Sequence, residues 1–407
     1  MAAQSKRLLT VEEALLKVLA DVVPITDGHE ADLLDAHGAI LLAPLLARHS
    51  QPPFDASAMD GYAVRAADVA RLPVTLRCIG ESAAGHGYAG PVGPGETVRI
   101  FTGAPMPAGT NAVIIQENAR ADGTSITVQA GAPDRDHVRP RGGDFQSGSQ
   151  VLAANQRLEA RHLTLAAAAG HARLTVRRAP VVAILATGDE LVMPGQSPNA
   201  DQIVCSNPFG VAAMVTAAGG TPRLLGIARD TVASLETKIA LAAGSDVLVT
   251  LGGASAGDHD LVGPALALHG LELAFWKIAM RPGKPMLFGR LGETRVLGLP
   301  GNPVSSLITA RLFLVPLIHA LLGRSRTEPP AILATLGEPI AANGPRTHYM
   351  RGVRELGAKS SVTVRPLANQ DSSLLVPLAA ADCLIIRPID AAAAPAGTTV
   401  PILPLDF

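Results

Sequence analysis

The run VVAILATGDEL at residues 181–191 carries a continuous apolar segment into a short acidic turn. The pattern recurs at LVTLGGASAGDHD (248–260) and RVLGLPGNPVSS (295–306). Each apolar run has the length and branched composition of a buried strand. The intervening stretches 207–218 and 232–243 carry helical composition, so strand alternates with helix and a doubly wound α/β sheet is expected over residues 179–325. In such sheets ligands settle outside the carboxyl ends of the strands, where loop amides and helix N-termini converge. A site is therefore expected at these loops.

Outward from this block the texture changes. Thr10 to Val22 reads as an amphipathic helix, with Thr10 and Glu13 as a capping box and Leu15, Leu16, Val18 and Leu19 on its apolar side. Glu30 to Leu46 reads as a second helical segment and Arg157 to Gly170 as another. From Pro52 to Gly148 short alternating runs such as VTLRCIG, ETVRIF and SITVQA, divided by Gly and Pro, indicate a β module. The expected organisation is a helical subdomain (1–50 and 149–178), a β-rich subdomain inserted in it (51–148), the α/β domain (179–325) and a carboxy-terminal β-barrel (330–407). Pro303 to Leu322 reads as the last helix of the α/β domain, with Asn302 as N-cap, and 324–330 as a linker.

Composition bounds the function. The chain has 407 residues, 48% of them apolar, 17% charged and 3% aromatic, with 40 Gly and 32 Pro, which describes an α/β protein with many turns. A net charge of −1 supplies no global field toward nucleic acid or anionic membrane, and the shortage of aromatics argues against base-stacking platforms. The three cysteines, Cys78, Cys205 and Cys383, lack metal-ligand spacing and fit a reducing cytoplasm. The start of the chain lacks a signal-peptide apolar region, and no run of about 18 uncharged apolar residues reads as a membrane span.

The loops mix acid and base. In TGDEL, Asp189 and Glu190 can face a divalent cation or a substrate hydroxyl, or can cap a helix. GGASAGDHD offers free amides followed by Asp258 and Asp260, or an ordinary strand-to-helix turn. In WKIAMRPGK (276–284) a turn at Pro282-Gly283 can bring Lys277, Arg281 and Lys284 onto a phosphate, although surface lysines and arginines need no such role. LPGNPVSS joins a turn to a helix N-terminus with two hydroxyls, Ser305 and Ser306, suited to phosphate. The lysine of a P-loop and the HExxH pattern are missing, which removes the corresponding ATPase and zinc-protease readings. Carboxylates for a cation beside cations and amides for an anion suit chemistry on a metal-bridged phosphate compound. Outside this domain PPFDASAMDGYAVR (52–65), FTGAPMPAG (101–109) and RPRGGDFQSG (139–148) set Asp55, Asp60, Thr102, Arg139 and Asp144 in polar turns, for which Asp60-Gly61 alone would suggest a hairpin.

Taken in order, PPFDASAMDGYA, FTGAPMPAG, TGDEL, Ser206-Asn207, GGASAGDHD, RPGKP and GLPGNPVSS resemble the molybdopterin molybdenumtransferases, the MoeA proteins and the related carboxy-terminal domain of gephyrin. The resemblance covers nearly the whole chain. It implies an enzyme of molybdenum cofactor biosynthesis that takes adenylylated molybdopterin and molybdate, splits the pyrophosphate link with Mg²⁺ or a similar cation, and releases molybdenum cofactor and AMP. It implies an elongated homodimer, and possible contacts are a molybdopterin adenylyltransferase and molybdoenzyme apoproteins. By motif, Asp60, Thr102, Asp144, Glu190, Asp230, Asp260, Lys277, Pro300 and Pro303 fall at functional positions of the family, and Arg139 aligns with a family arginine. The implied roles are a cation held by Asp189, Glu190 and Asp260, oxyanions gripped by Lys277, Arg281 and Lys284 with Ser305 nearby, and Asp60, Thr102, Arg139 and Asp144 supplied by a second subunit. Three departures stand out: Arg281 where lysine is common, Gly143 where glutamate is usual, and Cys205 where an acid is frequent. Adenylyl transfer to molybdopterin, or a cofactor-binding scaffold without turnover, are the rival readings.

Overall fold

The computed structural model describes residues 7–131, 137–253, 261–324, 331–356 and 362–406. The chain forms two compact units, residues 29–176 and residues 1–28 with 177–407.

In the second of these units, a six-stranded sheet has four neighbouring parallel strands, in the order Thr221–Ala228, Val181–Thr187, Val247–Leu251 and Thr294–Leu299. Antiparallel Leu287–Leu291 and Glu272–Trp276 complete one edge. The apolar runs ending at Thr187, Leu251 and Leu299 are three of these strands, and Val247–Leu251 is buried along its whole length because it lies inside the sheet. Helices Asn207–Ala218, Val232–Ala240 and Val262–Leu268 cover the faces; Leu225, Leu235, Leu248, Leu266 and Val296 share one core.

Three neighbouring strands are stitched at their N-terminal ends by Asp246. Its carboxylate takes two hydrogen bonds from Arg178 (2.8 and 2.9 Å) and one from the Val181 amide (2.7 Å). Its own amide donates to the Val181 carbonyl (2.9 Å), and its carbonyl accepts from the Arg295 amide (3.1 Å). The opposite, C-terminal ends of the strands are thereby left to the loops.

Pro303–Leu321 is one apolar helix of 19 residues with a π segment at Ala310–Leu314, just before Pro316 removes a backbone donor. Its side chains pack inside the protein, Phe313, Leu314 and Leu317 being fully buried, as in a core helix. Asn302 precedes it without capping it: the side-chain amide donates to the Ser372 hydroxyl (2.9 Å) instead.

The carboxy-terminal strands Ile332–Leu336, Thr347–Leu356, Val362–Pro366, Cys383–Arg387 and Thr399–Pro404 close into a five-stranded barrel, since Thr347–Leu356 pairs with both Val362–Pro366 and Cys383–Arg387. Met280–Arg281 of the α/β part adds to this barrel by parallel pairing with Thr347 and His348. The amino-terminal helix is Val11–Leu19, and the Thr10–Glu13 capping box is formed in both directions. Its buried face is Val11, Ala14, Leu15 and Val18, whereas Leu16, expected on the apolar side, points outward.

The unit 29–176 carries a curled six-stranded sheet in the order Ala112–Ile115, Gly61–Val64, Glu96–Ile100, Val74–Ser82, Ser125–Val128 and Ala119–Asp122. Beside it, Ala160–Ala168 is helical as expected. The helix expected over 30–46 is absent. That stretch instead forms strand Gly28–Asp32, a turn closed by Gly38 at φ +79°, and strand Leu45–Leu46. Long-range backbone bonds from Leu41 to Gln156 and from Leu42 to Thr175 outweigh the local helical composition there. Asp60-Gly61 is no hairpin turn either. It leads into a strand paired on both sides, and a Cβ at Gly61 would sit 2.0 Å from the Ile114 carbonyl oxygen, so only glycine fits.

Candidate active site

Two clefts meet at the C-terminal ends of the parallel strands. The first, about 700 Å³, is walled by Thr187, Gly188, Glu190, Cys205, Asn207, Asp230 and the Gly252-Gly253 turn, among others. The second, about 650 Å³, is walled by Arg281, Lys284, Ser305, Arg346, Gln370, Asp371 and Ser372, among others. They share Pro285, Pro300, Gly301 and Asn302. The first cleft thus carries the carboxylates of Glu190 and Asp230, its neighbour carries three cations beside Asp371, and a single turn separates them.

The acidic wall is built by the chain leaving strand Val181–Thr187. Gly188 lies at φ +148°, where a Cβ would be 2.3 Å from a Glu190 carboxylate oxygen, so the glycine lets that carboxylate fold back toward the strand end. Glu190 is followed by Leu191–Val192, paired in parallel with Ile203–Val204, so TGDEL does not begin a helix. Cys205 is buried next to this carboxylate. Burial first, and the Glu190 charge second, push its thiol up, which keeps the sulfur protonated and unreactive. Asp189 turns away from the cleft wall: its Oδ1 accepts from the Asp230 amide (3.2 Å), and its own amide donates to an Asp230 carboxylate oxygen (3.4 Å). Arg229 donates to the Asp189 carbonyl (2.8 Å) and braces the same turn.

The partition departs from the sequence expectation in several ways. Among the described residues no group of three His, Cys, Asp or Glu side chains is arranged to hold a metal ion. Asp260, and Asp258 with it, lies outside the described residues. Asp189 braces a loop, and the carboxylates that share the cleft are those of Glu190 and Asp230. Arg281 and Lys284 do converge, on either side of Pro282-Gly283, but Lys277 lies in the wall of neither cleft; its ammonium rests 5.6 Å from the centre of the Trp276 ring. Ser305 lies in the basic wall, whereas the Ser306 hydroxyl is engaged with the Pro300 carbonyl and so braces the turn. Pro300 lines both clefts and Pro303 the acidic one.

Arg346, Gln370, Asp371, Ser372 and Ser373 were missed by sequence reasoning, although all line a cleft. The polar run NQDSS at 369–373 was the available signal. Beside the basic cleft, His348 is buried against Arg281, Arg346 and Arg351. Burial and then those positive charges push its imidazole down to about 4, so it is neutral near pH 7 and adds no charge of its own.

Within the other unit, Asp60 and Thr102 are joined. One Asp60 carboxylate oxygen accepts from the Thr102 amide (2.7 Å) and hydroxyl (2.8 Å), and the amide first, then the hydroxyl, hold the carboxyl below its ordinary range. Arg139 lines a separate hollow of about 640 Å³ with Asp55, whose carboxylate accepts from the Arg141 amide (2.7 Å). Asp144 is exposed on a turn whose amide donates to the Gln51 carbonyl (3.0 Å), and no residue of the Asp60–Thr102 pair lines the Arg139 hollow.

Residues 9–170 match the MoeA N-terminal region (domains I and II), 183–320 a probable molybdopterin binding domain, and 334–405 the MoeA C-terminal region (domain IV). The molybdopterin molybdenumtransferase of Nostoc sp. is 36% identical over 348 residues, covering 82% of this chain and 80% of its own. The protein of the same name from Haemophilus influenzae is 33% identical over 98% of this chain and 99% of its own. The crystal structure of a molybdopterin biosynthesis MoeA protein from Pyrococcus horikoshii superposes with a TM-score of 0.84 at 29% identity, covering 97% of this chain and 98% of that one.

Proposed function

The chain belongs to the MoeA family, and on that premise we propose that it is a molybdopterin molybdenumtransferase that converts adenylylated molybdopterin and molybdate to molybdenum cofactor and AMP. The observation that carries this reading is the shared turn Pro300–Asn302, with the Glu190 and Asp230 carboxylates on one side and Arg281, Lys284 and Arg346 on the other. A substrate with a pyrophosphate and an oxyanionic co-substrate need these two environments side by side.

Glu190 and Asp230 fit a divalent cation of the Mg²⁺ type, because Mg²⁺ usually takes only one or two protein carboxylates and completes its shell with water and substrate phosphate oxygens. Bound there, the cation would neutralise pyrophosphate charge and lower the barrier to breaking one of the two phosphorus–oxygen bonds of the bridge, the bridging oxygen staying with the other phosphorus. Arg281 and Lys284 would grip molybdate or phosphate oxygens, the planar guanidinium by two parallel bonds and the ammonium as a point charge. The neutral His348 leaves this grip to the arginines and lysine. Asn207, which donates to the Gly301 carbonyl (2.7 Å), would keep the shared turn from moving as charge shifts across it.

Asp60, Thr102, Arg139 and Asp144 complete the proposal as residues contributed by a second copy of the chain in a homodimer, with Lys277 acting on substrate that extends beyond the clefts. A cytoplasmic setting, with handover from a molybdopterin adenylyltransferase and delivery to molybdoenzyme apoproteins, belongs to the same reading. The test is to incubate the purified protein with adenylylated molybdopterin, molybdate and Mg²⁺ and follow AMP and cofactor together. Binding without AMP release would favour a scaffold, and consumption of ATP with bare molybdopterin would favour adenylyl transfer.

A further inference from the structure

Arg351 lies in the barrel strand Thr347–Leu356 and is the largest fully buried side chain of the described residues, with 1% of its surface exposed. It lines neither cleft. Its guanidinium donates to three carbonyls of one loop: Asn369 (3.0 Å), Asp371 (2.9 Å) and Leu374 (3.1 Å). Gln370 clasps the same strand from the loop side, accepting from the Arg351 amide (2.9 Å) and donating to its carbonyl (2.9 Å). Within the loop, the Asp371 carboxylate accepts from the amide (2.9 Å) and hydroxyl (2.8 Å) of Ser373.

The loop in turn grips the wall between the clefts. The Ser372 carbonyl accepts from the Val304 amide (3.1 Å), and its hydroxyl accepts from the Asn302 side chain (2.9 Å). Ser372 lines the basic cleft and Ser373 the acidic one. A buried guanidinium spent on loop carbonyls is a costly way to stabilise a fold, since apolar residues of similar volume serve that purpose as well or better. Its fork geometry does what they cannot, fixing three carbonyls of an irregular loop at once.

We infer that Arg351 is a positioning residue for the proposed transfer: through the loop Asn369–Leu374 it holds Ser372 against Asn302 and Val304 and so sets the separation of the acidic and basic clefts. The inference rests on the reaction proposed above. Lysine at this position keeps the charge but has no fork to span three carbonyls, so the loop loosens while the barrel core stays.

The experiment compares the unaltered protein with R351K, S372A, the double variant and V400A, a barrel-core truncation at a residue 3% exposed. Amide hydrogen exchange and steady-state AMP release at varied molybdate are measured on each. In R351K, exchange rises at residues 369–374 and at Val304, and the KM for molybdate rises about tenfold, the scale of one charge-assisted hydrogen bond, with a smaller change in kcat. S372A raises KM in the same direction, and the double variant is no worse than the more impaired single one, because both act through one clamp. V400A lowers the melting temperature and leaves KM unchanged. Faster loop exchange with KM unchanged in R351K overturns the role of Arg351, as does full additivity with S372A. Absence of AMP release from the unaltered protein overturns the transferase reading itself, and the role of Arg351 in that reaction with it.

Discussion

Asp246→Asn removes one charge from the N-terminal edge of the α/β sheet and leaves the shape of the side chain. In the folded protein that carboxylate accepts three hydrogen bonds, two from the Arg178 guanidinium and one from the Val181 amide. With its oxygen in the place of Oδ2 an asparagine can keep two of the three, while its amide group turns a donor toward Nη2 of Arg178. One charge-assisted bond is lost and the other Arg178 bond loses its anionic acceptor, and with side-chain exposures of 39% for Arg178 and 20% for Asp246 solvent returns part of their value. The expected cost is about 2–3 kcal/mol, which for a domain of this size lowers the melting temperature by roughly 5–10 °C. The Asp246 carboxyl is held below its ordinary range; burial opposes this, but the Arg178 and Val181 hydrogen bonds outweigh it. A depressed pKa contributes stability that is present above the unfolded-state value, about 3.9, and is lost as pH falls through the folded one. Urea unfolding of both proteins from pH 8 to pH 3 should therefore show a constant gap down to about pH 4 that narrows below it. KM for molybdate should not change, because Asp246 sits at the end of the sheet opposite the clefts. A gap below about 0.5 kcal/mol, or one that stays constant through pH 3, would refute this reasoning.

Glu190→Gln keeps the side chain's shape and deletes a cleft charge, so turnover should fall at least about a hundredfold with the melting temperature within a few degrees of the unaltered protein; activity at the unaltered level would remove Glu190 from cation binding. Thiol labelling of the native protein at pH 8 should modify half-buried Cys78 first, while Cys205, raised by burial and Glu190, and Cys383, pushed up to about 12 by burial and Asp382, react only on unfolding. Rapid alkylation of Cys205 in the folded state would contradict its place behind Glu190.

The parts legible in the sequence are those fixed by local pattern. The runs ending at Thr187, Leu251 and Leu299 are apolar throughout because they are central parallel strands, and the Thr10–Glu13 capping box is a contact between residues three apart. Residues 30–46 misled because their leucines and alanines suit a helix, while backbone bonds to Gln156 and Thr175, more than a hundred residues away, decide otherwise. The site shows the same division. Glu190 just past an apolar strand, and Arg281 and Lys284 on either side of Pro282-Gly283, are legible from local pattern, whereas Asp230 is reached only through the family resemblance. Asp189 could not be told from Glu190, because which carboxylate meets a backbone amide depends on how the Asp230 turn packs beside it. Ser372 and Arg351 were invisible because the NQDSS run gains its meaning from a guanidinium on the neighbouring barrel strand.

The stoichiometry of a single turnover tests most directly whether the two clefts serve one reaction. Protein mixed with a limiting amount of adenylylated molybdopterin, excess molybdate and Mg²⁺ is sampled over time for AMP and for molybdenum bound to the pterin. One AMP per molybdenum inserted, appearing together and abolished when either molybdate or the divalent cation is withheld, is the expected result. AMP released at the same rate without molybdate, or molybdenum inserted with the pyrophosphate intact, would contradict the joining of the acidic and basic clefts in one reaction.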